Sequence, residues 1–80
     1  PYLLAAKKLG IAPEDMGKCV VLEDTFVGLE AGAASGATTI AQTCTIRTDT
    51  SSGPQFASIN GYDGIDAAAL DGFVRQRLAQ

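Results

Sequence analysis

The feature that most narrows what this chain can fold into is the succession found between Lys18 and Thr43: a short β-branched run, an acidic pair, a helical stretch closed by glycine, and a second β-branched run. Cys19, Val20, Val21 and Leu22 form an unbroken apolar run too short for a helix, so it predicts a strand, and the absence of polar alternation predicts burial on both faces within a parallel sheet. From Phe26 to Ser35 the apolar and small residues, with Val27, Leu29, Ala31 and Ala34 among them, shift to helical spacing, and Gly36 stands where a helix stops on a left-handed residue. Ala37 to Thr43 then reads as a second strand. Two strands separated by a helix need a crossover, which predicts a parallel pair with right-handed connection. In open α/β sheets ligands bind beyond the carboxyl ends of the strands, and Glu23 and Asp24 fall at that edge.

Two readings of the acidic pair follow from the residues alone. Adjacent carboxylates supply hard oxygen ligands for a cation such as Mg²⁺, which also keeps several waters. Alternatively Asp24 or Thr25 caps the following helix by accepting from a free backbone N–H, a contribution of about 1 kcal/mol, with the carboxylates complementing the positive end of the helix dipole.

The flanking sequence extends the pattern. Pro1 to Leu9 predicts a first helix ended by Gly10, and Pro13-Glu14-Asp15-Met16 a turn or single helical turn with proline first and acids where the dipole favours them. Cys44 to Pro54 is polar and predicts a surface loop, from which Thr43, Thr45, Arg47 and Thr48 are candidate phosphate donors. Phe56 to Ile59 predicts a short third strand at a sheet edge and Asn60-Gly61 a turn. Asp66 is placed to cap a last helix with Leu70, Phe73, Val74 and Leu78 on one face, while Gly72 in its middle costs roughly 1 kcal/mol against alanine.

Composition excludes several classes of function. A net charge of −3 gives no basic footprint for a nucleic-acid partner. No apolar run approaches the roughly 18 residues of a membrane span. With no histidine in the sequence, nucleophilic arrangements that need one are excluded within this chain. Cys19 and Cys44 fall near opposite ends of neighbouring strands, too far apart for the Cα spacing of about 4.4 to 6.8 Å that a disulfide needs, which predicts reduced thiols and a cytoplasmic setting.

The order L-E-D-T-x-x-G-x-x-A-G-x-x-x-G in Leu22 to Gly36 resembles the fourth motif of the haloacid dehalogenase-like (HAD) hydrolases, in the branch of β-phosphoglucomutases and sugar- and polyol-phosphate phosphatases. The resemblance extends upstream through Pro1-Tyr2-Leu3-Leu4-Ala5-Ala6, Leu9-Gly10 and Pro13-Glu14-Asp15, and more weakly downstream through Asn60-Gly61-Tyr62-Asp63-Gly64-Ile65. It implies that Asp24 is a direct Mg²⁺ ligand and Glu23 a ligand or a water-bridged neighbour. The family's D-x-D nucleophile motif, its Ser/Thr and its Lys are not matched by any residues of this sequence.

The expectation is therefore an α/β, three-layer Rossmann-like unit with a mostly parallel sheet, spanning 1–80 and corresponding to the C-terminal part of a HAD-type core. By resemblance it serves a Mg²⁺-dependent phosphohydrolase acting on a small phosphorylated metabolite. The rest of such a core, carrying the nucleophile, would be its partner, and the chain alone is expected to be inactive. The alternative is a non-catalytic receiver-like or nucleotide-binding module in which Glu23 and Asp24 only cap a helix.

Overall fold

The computed structural model describes residues 2–44 and 53–80. Helix α1 spans Tyr2–Lys8, a 3-10 helix Pro13–Lys18, strand β1 Val20–Glu23, helix α2 Phe26–Ala34, strand β2 Thr38–Gln42, strand β3 Ala57–Ile59 and helix α3 Ala67–Leu78. Each predicted element is present, displaced by a residue or two at its ends. Of the expected loop, Thr45, Arg47 and Thr48 lie outside the described residues, as does Pro1, the expected first residue of the first helix.

The sheet has the order β1-β2-β3, and both pairings are parallel. Val20 pairs with Thr38 and Glu23 with Ala41, while Ile40 pairs with Ala57 and Gln42 with Ile59. In this register the carboxyl ends of all three strands reach the same edge.

Strand β2 is the centre of the molecule, and every one of its five residues is buried. Side chains alternate across a strand. Thr39 meets α2, since a Cβ at Gly32 would lie 2.8 Å from Thr39 Oγ1 and 3.0 Å from Val21 Cγ1. Thr38 meets the other layer: its hydroxyl donates to the Gly17 carbonyl at 2.8 Å, and Arg77 Nη1 of α3 reaches its Oγ1 at 3.4 Å. The sheet thus has helices on both faces, and the chain is a three-layer α/β unit of Rossmann-like form.

Local chemistry sets the helix limits. Thr25 Oγ1 accepts from Gly28 N at 3.0 Å and caps α2, and Asp66 caps α3 by accepting from Ala69 N at 2.9 Å. Gly36, at φ +88°, ends the α2 segment in a left-handed conformation closed to most residues and turns the chain into β2.

One expectation is corrected. Strand β1 is not buried on both faces: Val21 is 8% exposed but Leu22 is 37% exposed. The apolar run matches a two-sided strand, yet β1 lies at an edge of the described sheet and Leu22 at its end is left uncovered by the described residues. The strand that is buried on both sides is β2, whose polar Thr38, Thr39 and Gln42 hide it from a reading of hydrophobicity.

Two glycines of equal propensity predict opposite outcomes. A Cβ at Gly72 meets nothing within 4 Å, so Gly72→Ala should raise stability by about 1 kcal/mol through helix propensity. At Gly32 the added methyl meets Thr39 and Val21 at 2.8 to 3.0 Å, so Gly32→Ala should lower stability by about 1 to 3 kcal/mol as overpacking outweighs propensity. Urea unfolding of both variants checks the pair; a gain at position 32 would mean that α2 sits farther from the sheet.

Candidate functional site

Because β1 and β2 are parallel and in register, the end of β1 delivers Glu23 and then Asp24 to the edge where β2 ends in Gln42. The turn after β3 brings Gly61 and Tyr62 to the same edge. Between these segments lies an open cavity of about 460 Å³, lined by Glu23, Asp24, Gln42, Cys44, Gly61 and Tyr62 together with Leu22. Both sequence-predicted site residues are brought to it.

The two carboxylates do not have the same surroundings. Glu23 is half-buried and turned back over α2. Its Oε2 accepts from the Tyr2 hydroxyl and its Oε1 lies 3.5 Å from Thr25 Oγ1, so two side-chain hydroxyls are directed at it. Gly28 makes the room: a Cβ there would collide with the Glu23 carboxylate and stand 2.8 Å from Glu23 Cγ. The glycine three residues after Thr25 is therefore a steric requirement of the Glu23 rotamer. Asp24, in contrast, is exposed and stands on the cavity.

Capping of α2 falls to Thr25, as the hydroxyl half of the Asp24-or-Thr25 expectation proposed. The capping role attributed to the carboxylates is thus filled by another side chain. Both acids still stand near the positive end of the α2 dipole, which complements negative charge.

Carboxylates offer acceptor oxygens only, so the pair fits a hard cation rather than a soft one. Among the described residues no group of three or more Cys, Asp or Glu converges as a complete metal cage. A single exposed carboxylate with a second beside it, opening on solvent, matches the way Mg²⁺ is held by one or two carboxylates with waters and substrate oxygens completing the shell.

The neighbouring side chains have separate roles. Thr43 is committed to β3: its backbone N–H and its hydroxyl both donate to the Ile59 carbonyl, at 2.7 and 3.0 Å. Tyr2 serves Glu23. Both cysteines are free thiols, Cys19 half-buried and Cys44 exposed at the cavity. Gln42 is the site residue that the sequence does not announce. It closes β2 at the cavity, and its importance comes from Gly61, which the fold alone brings near.

The Tyr2–Glu23 contact has a pH signature. Hydrogen bonding to Glu23, then burial, then the negative charge of Glu23 push the Tyr2 phenol up to about 12 from its ordinary value of 10. The protonated phenol is the bonded form, so the contact's stabilisation is complete below pH 10 and is lost as pH rises through about 12. In a Tyr62→Phe background Tyr2 is the sole tyrosine, and its phenolate absorbance should show a midpoint near 12. Adding Gly28→Ala, which displaces the Glu23 carboxylate, should bring the midpoint back toward 10; a midpoint already at 10 without that change would mean the contact is not made in solution.

No protein-family model, no curated protein and no solved structure matches this chain.

Proposed function

We propose that this chain forms the metal-binding edge of a Mg²⁺-dependent phosphohydrolase acting on a small phosphorylated metabolite of the sugar- or polyol-phosphate kind. The observation that carries the reading is the placement of Asp24: an exposed carboxylate at the carboxyl-terminal edge of a parallel sheet, on an open cavity, with the adjoining helix capped by Thr25 instead. The resemblance of Leu22 to Gly36 to the HAD fourth motif supplies the reaction class.

Asp24 would hold the cation, and Glu23, fixed by Tyr2 and Thr25, would stand beside it as a second negative charge. When bound, Mg²⁺ supplies electrostatic relief between an anionic phosphate and an attacking carboxylate. The nucleophile itself has no candidate in the resemblance among these residues and would come from a segment beyond this sequence. The outer edge of β1 is unpaired among the described residues and offers backbone groups for such a segment to join as a further strand.

Two measurements test the reading. In a Mg²⁺ titration followed by backbone amide shifts, residues 23–26 should respond. Asp24→Asn should weaken binding by about tenfold or more, since loss of even an outer hydrogen-bonding partner costs a metal site that much. Helix α2 should keep its cap in that variant, because Thr25 supplies it. If thermal unfolding shifts while the Mg²⁺ response stays, Asp24 is structural and the proposal fails. With an aryl phosphate and Mg²⁺ the chain alone should show no turnover above background, as a cation without a nucleophile provides no covalent step.

A further inference from the structure

Gln42 is 4% exposed, yet its side chain lines the cavity at the end of the central strand. Its Oε1 accepts from two backbone donors, Cys44 N at 2.9 Å and Gly61 N at 2.8 Å, so one oxygen joins the segment leaving β2 to the turn leaving β3. Those two contacts also fix which end of the amide is which. Rotating the amide would put NH₂ against two N–H donors, so nitrogen must occupy the remaining position. That nitrogen, Nε2, is buried and has no hydrogen-bond partner among the described residues. Buried polar groups in folded proteins are nearly always paired, and an orphan nitrogen on a residue that lines a cavity calls for a partner that enters with solvent or ligand.

We propose that Gln42 is a ligand-binding residue whose Nε2 donates a hydrogen bond to an oxygen of a phosphate-class oxyanion at the base of the cavity. The ligand class rests on the phosphohydrolase reading; the donor rests on the surroundings of Gln42 alone. A neutral amide suits this position, because it recognises an acceptor oxygen without adding a charge that would compete with a cation for Asp24. Its orientation is set before any ligand arrives, since both acceptor contacts of Oε1 are already made. The amide therefore favours acceptor oxygens and disfavours an ammonium group, which has donors only.

The test uses the isotopically labelled chain, with inorganic phosphate as the probe, titrated with and without Mg²⁺. The Gln42 side-chain NH₂ resonances should shift saturably with phosphate. Gln42→Glu keeps an acceptor oxygen for Cys44 and Gly61 but replaces the donor by an anionic acceptor, and it should weaken phosphate binding by about tenfold or more. Mg²⁺ shifts at Asp24 should persist in that variant. If phosphate leaves the Gln42 NH₂ unmoved, or if Gln42→Glu binds it like the parent, the proposal is overturned and only a buried water partners Nε2. In that event, Mg²⁺ shifts still seen at Asp24 leave the metal reading standing. Conversely, a phosphate response at Gln42 with no Mg²⁺ response at Asp24 supports Gln42 as donor and sinks the metal assignment.

Discussion

Everything in this molecule is arranged around the need to satisfy β2, a strand buried on both faces although most of its side chains are polar. Burying a hydroxyl or an amide without a partner costs more free energy than one contact returns, so each of these side chains has to find at least one partner. Thr38 is met by the Gly17 carbonyl and by Arg77, which draws the 3-10 helix and α3 onto one face. Thr39 donates to the Ala37 carbonyl at 3.2 Å and lies under Gly32, where the missing side chain lets α2 come close on the other face. Gln42 reaches across the strand ends to Gly61. The polar content of the central strand thus specifies which elements lie against it, where an apolar strand would fix only that something does.

The same close approach controls the site. With α2 held near the sheet by Gly32, the turn carrying Asp24 and Thr25 has little freedom, and Thr25 reaches Gly28 N to start the helix. Glu23 is then lodged between Tyr2 on one side and the bare backbone of Gly28 on the other. A pair of carboxylates that look equivalent in the sequence is differentiated by these neighbours. One is held by hydroxyls and partly withdrawn; the other is presented to the cavity.

How far the sequence discloses this depends on the range of the interaction. The strand at Val20, the helix ending at Gly36 and the cap at Asp66 depend on residues within one turn of each other, and they are legible. The place of Glu23 and Asp24 at the sheet edge follows from the strand, helix, strand order, which is also local. What could not be read depends on residues far apart in the chain. The Tyr2–Glu23 contact spans 21 residues and Gln42–Gly61 spans 19, and neither leaves a periodic trace. Strand burial misleads for a related reason. Val20-Val21-Leu22 carries the hydrophobicity of a central strand, but centrality is decided by sheet order, which places Thr38–Gln42 in the middle.

That sheet order bears on how the chain finds its structure. Each strand pairs with the next one in sequence, so no strand waits for a distant partner and no later strand must insert between two earlier ones. Loop-closure entropy is lowest for such nearest-neighbour pairing, and topologies rich in it fold faster than those built on remote contacts. The β1-α2-β2 segment can close as a single crossover before β3 or α3 takes part. Folding in that order would assemble the carboxylate edge with the first unit and form the Gln42 to Gly61 bond only after β3 has joined.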